Sequence, residues 1–319
     1  MKIAILDDYQ GVALSLADWE SLGAEVTAFG DTIAGEALVA RLAPFEVVCL
    51  MRERTPFPAA LIERLPNLRL IVTTGARNLS IDLAAAHARG ITVCGTASRA
   101  PSTAHHAMSL ILAGTRGLVS EALSMREGGW QRGLGRDLHG LTLGLVGLGR
   151  LGAAVGALAR PFGMELLAWS ENLTAERCAE AGARQAPSLA ALLAEADVVS
   201  IHLVLSARSR GLIGAAELAA MKPDALLVNT SRGPIVEEAA LLAALRAGRP
   251  GAAAIDVYAE EPLLADHPLR DRALIDAGRL ILTPHIGYVS RQTYAVFYRE
   301  TVEAIAAFRE GKPIRELRQ

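Results

Sequence analysis

Three cysteines in 319 residues, at 49, 94 and 178, leave this chain without metal-ligand spacing and without the density of a disulfide scaffold. They read as reduced thiols, which points to the cytoplasm, and no metal is expected. An excess of one charge is also missing. Against 32 Lys and Arg stand 34 Asp and Glu, the net charge is −2, and no basic block occurs. That excludes the electrostatic footprint of a nucleic-acid binder. No apolar run approaches the roughly 18 residues of a membrane span. The mean hydropathy of +0.30 comes from alanine and leucine spread along the chain. Met1 leads directly into KIAIL, so no basic region, apolar segment and cleavage site of a secretion signal is expected. There is no internal repeat and no low-complexity linker.

What is present is a hydrophobic fraction of 51% with 21% charged residues, enough for a sizeable core. The length suggests two domains at about 150 residues each. Short apolar runs alternate with amphipathic, alanine-rich stretches, the pattern of parallel sheets with crossover helices. Strands are expected at residues 2–6, 25–29, 46–50, 69–73 and 91–94, a five-stranded unit. A second set at 142–147, 165–169, 197–202, 225–229, 252–256 and 280–283 suits a six-stranded dinucleotide-binding sheet. A helix over 98–116 would pass from one domain to the other. A helix over 290–309 has no strand left to serve in the second sheet and would return to the first domain. The expected division is therefore 1–98 with 287–319, and 99–286, with a hinged cleft between the two for a small ligand. The fold class is α/β, built from two doubly wound parallel-sheet domains.

The most informative segment is LTLGLVGLGRLG at 141–152. It reads as a buried strand entering a glycine-rich turn that opens a helix. Gly147 allows the tight turn, Gly149 lets backbone approach a pyrophosphate, and Gly152 lets the helix pack on the strand. The phosphates would rest on the free N–H groups and positive dipole end of the new helix. With 29 glycines in the chain the motif alone is weak; the strand before it and the helix after it give it weight. The strand at 165–169 ends at Ser170 and Glu171, where an acidic side chain would bind the adenosine ribose of NAD. Ser170 can bond a ribose but does not repel a 2′-phosphate. No Arg or Lys follows directly, so the reading leans to NAD without excluding NADP.

Three further turns follow apolar strands, at the carboxyl ends where ligands of open parallel sheets bind. Arg232 lies in NTSRG at 229–233, and a guanidinium there suits a carboxylate or carbonyl oxygen, although alone it also fits a surface turn. Asp256 ends a strand, and Glu261 sits a short loop beyond it in DVYAEEP at 256–262. His285 lies in TPHIG at 283–287. A carboxylate beside an imidazole favours its charged form. An imidazolium can then give a proton to a carbonyl oxygen as hydride reaches the carbon.

Together GLGRLG, NTSRG, DVYAEEP and TPHIG, in this order, resemble the D-isomer-specific 2-hydroxyacid dehydrogenases, a family that includes glyoxylate/hydroxypyruvate reductases, phosphoglycerate dehydrogenase and formate dehydrogenase. The resemblance covers nearly the whole chain. It implies a flavodoxin-like substrate domain and a Rossmann NAD(P)-binding domain. It implies His285 as the acid/base, Glu261 as its support and Arg232 as the group that orients and polarises substrate. Asp256 would bond the nicotinamide carboxamide, Arg150 and Leu151 would contact pyrophosphate, and Thr230 would lie beside the nicotinamide. Gly75, Ala76 and Arg77 match a loop whose backbone N–H groups hold the substrate carboxylate. Arg52, in the loop after the third strand, reads either as a second carboxylate contact or as a solvated loop arginine.

Several positions depart from the family pattern. Ser170 replaces an acidic residue, His202-Leu203-Val204 lacks a proline, and Tyr288 stands where smaller residues are common. His105 stands where glutamate is usual and is assigned to packing. The activity implied is interconversion of a small 2-oxo acid and its D-2-hydroxy acid with NAD or NADP, by a homodimer. A nucleotide-sensing, corepressor-like binding protein and a formate- or phosphite-type dehydrogenase remain as alternatives on the same scaffold.

Overall fold

The structure is a computed structural model that describes residues 1–97 and 101–318. Contacts divide the chain into two units, Met1–Arg99 with Val289–Gln319 and Ala100–Tyr288. The expected boundary between 98 and 99, and Ser98 as the expected helix start, fall outside the described residues. The other boundary comes after Tyr288 rather than after 286. Gly287 and Tyr288 are held by the second unit: the Gly287 N–H donates to Asp256, and the Tyr288 ring lies against His285.

In the first unit the strands are β1 (Lys2–Ile5), β2 (Glu25–Ala28), β3 (Val47–Leu50), β4 (Leu70–Thr73) and β5 (Thr92–Gly95). All pairings are parallel and the order is β2-β1-β3-β4-β5, the flavodoxin arrangement. β3 and β4 are buried at every residue, as central strands covered on both faces must be. The helix Arg291–Arg309 packs on β4 and β5. Its buried Tyr294, Phe297, Tyr298, Thr301, Ala304 and Ile305 recur every three or four residues, which makes one apolar stripe. Ser290 caps it by accepting from the Thr293 N–H.

In the second unit the strands are β6 (Thr142–Val146), β7 (Glu165–Trp169), β8 (Arg184–Gln185), β9 (Val198–Ile201), β10 (Leu226–Asn229), β11 (Ala252–Ile255) and β12 (Leu280–Leu282). The parallel sheet runs β12-β11-β10-β9-β6-β7-β8. It therefore has seven strands, not six. The additional β8 is two exposed polar residues at the sheet edge, with no apolar run to announce it.

Successive side chains of these strands enter opposite cores. Val146, Leu167, Val199, Leu227 and Ala253 face one layer, while Leu145, Leu166, Val198, Leu226 and Ala254 face the other. Each fully buried Leu or Val contributes about 1.5–3 kcal/mol relative to exposure. The helix Pro101–Arg116 lies on the second layer through Ala104, Ala107, Met108 and Ile111. Gly114 brings it so close to β10 that a Cβ there would meet Leu226 Cδ2 at 2.7 Å. No helix among the described residues is long and apolar enough to cross a membrane.

Candidate active site

The glycine turn after β6 has three positions with three different constraints. Gly147 adopts a φ of +102°, and a Cβ there would lie 2.9 Å from the His202 carbonyl oxygen. At Gly152 a Cβ would fall 2.1 Å from the Gly147 carbonyl oxygen, so this glycine sets how closely helix and strand pack. Gly149 is the opposite case: a Cβ there would meet nothing within 4 Å. It N-caps the helix Arg150–Ala159 with no side-chain cap, so the first-turn N–H groups are left for a ligand. Arg150 is exposed and Leu151 half-buried at this end.

β6 lies between β7 and β9, so the strand order reverses here and opens the crevice in which such sheets bind ligands. Two sealed polar atoms sit beside it. Thr230 Oγ1, after β10, and His202 Nε2, after β9, are buried with no hydrogen-bond partner among the described residues. Burial pushes the His202 imidazole down to about 4, so it is neutral near pH 7. Turn, open helix end and orphaned polar atoms fit a dinucleotide. Ser170 is half-buried after β7, and Glu171 next to it pairs with Arg208 at 2.6 Å.

The reactive side chains come from the turns after β10, β11 and β12. Asn229 shapes the first: its Oδ1 accepts from Ser231 N–H at 3.0 Å and its Nδ2 donates to the Arg232 carbonyl at 3.0 Å. Arg232 Nη1 donates to the Ser231 carbonyl at 2.8 Å. Gly233, next along, seats this turn on the Tyr258–Ala259 backbone, where a Cβ would lie 2.0 Å from Tyr258 C. That contact ties the turn bearing Arg232 to the backbone of the turn bearing Glu261. Glu261 Oε1 accepts from Tyr258 N–H at 2.9 Å, and its Oε2 stands 2.5 Å from His285 Nδ1. An ionised carboxylate only accepts, so Nδ1 carries the proton and Nε2 is left for chemistry. Both side chains keep contact with solvent, at 28% and 30% exposure.

His285 has a φ of +53°, rare for a residue with a side chain. Asp256 holds it there. Oδ1 of this buried carboxylate accepts from Thr283 Oγ1 at 2.5 Å and Ile286 N–H at 2.9 Å; Oδ2 accepts from Gly287 N–H at 2.9 Å. His106 Nε2, from the helix Pro101–Arg116, lies 3.2 Å from both Asp256 Oδ1 and Thr283 Oγ1. The Tyr288 ring meets the His285 imidazole edge-on, with centroids 5.5 Å apart.

In the first unit, the turn after β4 and the residue after β3 form a separate polar cluster. Arg52 N–H donates to Thr74 Oγ1 at 2.9 Å and its Nη1 to the Thr74 carbonyl at 3.3 Å. The guanidinium lies across Gly75, where a Cβ would come within 1.7 Å of Nη1. Gly75 is a correction to the sequence reading. Its N–H is committed to Thr96 Oγ1 at 2.7 Å, and its carbonyl accepts from Thr96 N–H at 3.0 Å. The backbone N–H groups this loop can offer a carboxylate are those of Ala76 and Arg77, both exposed.

Residues 108–287 match the model of the D-isomer specific 2-hydroxyacid dehydrogenase NAD binding domain. The chain belongs to that family. It is 34% identical to a glycerate dehydrogenase of Methylorubrum extorquens, over 93% of this chain and 96% of that one. It is 32% identical to a D-3-phosphoglycerate dehydrogenase of Archaeoglobus fulgidus over 99% of this chain, which spans 58% of that protein's length. The crystal structure of a phosphoglycerate oxidoreductase from Vibrio cholerae superposes with a TM-score of 0.91 at 39% identity, covering 98% of this chain and 99% of that one.

Among the sequence-derived residues of this family member, Arg232, Asp256, Glu261 and His285 lie in the turns after β10, β11 and β12, with Glu261 against His285 and Asp256 bonded to the residues around it; the glycine turn lies on the same sheet end. Two residues escaped sequence reasoning. His106 contacts Asp256, while its neighbour His105, assigned to packing, is exposed. Arg208 supplies the cation beside Glu171 that the local sequence lacks.

Proposed function

We propose that this protein interconverts a small 2-oxo acid and its D-2-hydroxy acid, with NAD as cofactor. The observation that carries this reading is the Glu261–His285 pair at 2.5 Å, held on the same sheet end as an open glycine turn. Gly147, Gly149, Arg150, Leu151 and Gly152 would hold the pyrophosphate, Ser170 the adenosine ribose, and Thr230 and Asp256 the nicotinamide end. The nicotinamide, when bound, supplies a hydride to the substrate C2 in reduction and takes one in oxidation. The chain's own part is proton and charge management. His285 Nε2 gives its proton to the carbonyl oxygen as C2 is reduced, and takes it back in the reverse direction. Glu261 fixes the tautomer and supports the imidazolium, the part a carboxylate plays behind any acid/base histidine. Arg232 binds the carboxylate and polarises the carbonyl oxygen.

Two features support the finer assignments. Cys49, Cys94 and Cys178 are all buried free thiols, which suits a reducing compartment such as the cytoplasm. Leu118, Met125, Trp130 and Leu134 are exposed within one short stretch, which suits a surface covered by a second copy of the chain. The activity is tested by following NADH oxidation with glyoxylate, hydroxypyruvate, pyruvate and bulkier 2-oxo acids, and NAD reduction with formate and phosphite. Turnover of a 2-oxo acid is the expected result, with hydroxypyruvate-type acids first in the panel because of the glycerate and phosphoglycerate relatives. NADH binding without any turnover favours a nucleotide-sensing protein. Activity confined to formate or phosphite overturns the substrate class.

A further inference from the structure

The loop after β9 carries a cation to a place where the sequence shows only an anion. β7 and β9 flank β6, so the Glu171–Arg208 pair spans the carboxyl end of the strand that bears the glycine turn. Arg208 is not on a loose excursion. Ser209 is buried; its Oγ donates to the Val204 carbonyl at 2.7 Å and accepts from Ser206 N–H at 2.8 Å. Arg210 N–H closes the same turn on the Ser206 carbonyl at 3.0 Å. The stapled turn also holds Val204 outward, 82% exposed, an apolar surface of the kind an adenine ring packs against.

The pair itself is a weak stabiliser of the fold. Arg208 and Glu171 are 70% and 62% exposed, and exposed pairs contribute about 0–1 kcal/mol. Its meaning lies in what it does to charge at the ribose end of the crevice. A dinucleotide sheet that selects NAD places a carboxylate after the second strand, which bonds the ribose hydroxyls and repels a 2′-phosphate. Here Ser170 is uncharged, and the neighbouring Glu171 carboxylate is neutralised by a guanidinium. Nothing net remains to repel a phosphate, and the group that would bind one stands ready.

We propose that Arg208 is a 2′-phosphate-binding residue, so that the chain takes NADPH as well as NADH. Glu171 and the 2′-phosphate are alternative partners of the same guanidinium. With NADH the pair stays closed and Ser170 serves the ribose. With NADPH, Arg208 exchanges its single Nη1–Oε2 contact with a carboxylate for a phosphate bearing more charge, which a guanidinium can grip with two parallel donors. The proposal rests on the dinucleotide-dependent reading above and names which form of the cofactor that site admits.

The test is equilibrium binding of NADH and NADPH to the full chain by calorimetry, without substrate, for the wild type, Arg208→Ala and Glu171→Gln. Both substitutions lie on the surface, and melting temperatures verify that they leave the fold intact. The wild type is expected to bind both nucleotides with affinities within about tenfold. Arg208→Ala should weaken NADPH tenfold or more and NADH less than threefold. Glu171→Gln should tighten NADPH severalfold with NADH unchanged. Binding of NADH alone by the wild type, or an equal effect of Arg208→Ala on both nucleotides, overturns the proposal and leaves the oxidoreductase reading intact. Binding of neither nucleotide overturns both.

Discussion

Substituting Gly233 by alanine isolates the packing that seats the Arg232 turn on the backbone of the Glu261 turn. A Cβ at this position would lie 2.0 Å from Tyr258 C, 2.3 Å from Tyr258 O and 2.5 Å from Ala259 N. Carbon contacts rest at about 3.5–4.0 Å, so the two turns must part by about 1.5 Å. All three obstructing atoms are backbone, so no rotamer change can relieve the clash. Overpacking of this kind costs about 1–3 kcal/mol, visible as a shift of a few degrees in Tm. The functional effect should be larger in proportion, because a misplacement of about 1 Å lowers rates about 100-fold. We expect kcat/KM for the best 2-oxo acid to fall about 100-fold in Gly233→Ala. NADH affinity, set mainly by the pyrophosphate and ribose contacts at the separate glycine turn, should stay within threefold. Steady-state kinetics, calorimetric NADH titration and thermal melts on one preparation make the comparison. A variant that loses Tm but keeps its kcat/KM would refute the argument, since Arg232 would then not act as one unit with the pair.

Three other residues carry expectations of the same kind. Gly149→Ala should leave Tm unchanged, because its Cβ enters open space, yet weaken NADH tenfold or more; loss of Tm with intact NADH binding would contradict the fit of a dinucleotide there. His106→Leu removes its hydrogen bond with Thr283 Oγ1, worth about 0.5–1.5 kcal/mol, and its 3.2 Å contact with the buried Asp256 carboxylate. It should lower kcat about tenfold with NADH affinity changed less than threefold, because the glycine turn still holds the pyrophosphate, whereas His105→Leu on the exposed face should change neither in stopped-flow and binding assays. His202 is neutral down to about pH 4 in the folded chain and titrates near 6.5 when unfolded. Between those values only the unfolded chain takes up the proton, so this residue's contribution is lost as pH falls, by at most about 3 kcal/mol at pH 4. Urea unfolding of the wild type and His202→Asn between pH 7 and 4.5 should show a shallower acid decline in the variant.

The parallel strands and the catalytic turns were legible because each is a short apolar run ending in a polar motif. That is a one-dimensional signal with a fixed three-dimensional meaning in open sheets. The glycine turn was legible for the same reason, down to the tight turn at Gly147 and the close packing at Gly152. What was hidden depends on direction across the fold. His105 and His106 are adjacent in sequence but about 100° apart around a helix, and only packing decides which one reaches Asp256. Arg208 and Glu171 are separated by 37 positions and meet because β7 and β9 flank β6. Gly75 looked like a carboxylate donor until Thr96, on the adjacent strand end, was found holding its amide. The β8 edge strand has too few residues to show a period.

The left-handed backbone at His285 restricts what can ever stand there. Valine, isoleucine and threonine are shut out by their branched Cβ before chemistry is considered. Asparagine and glycine settle into that conformation with little penalty. An inactive protein built with asparagine would thus keep the Thr283–Gly287 turn and its grip on Asp256. It would be the natural vehicle for trapping substrate in an undistorted pocket.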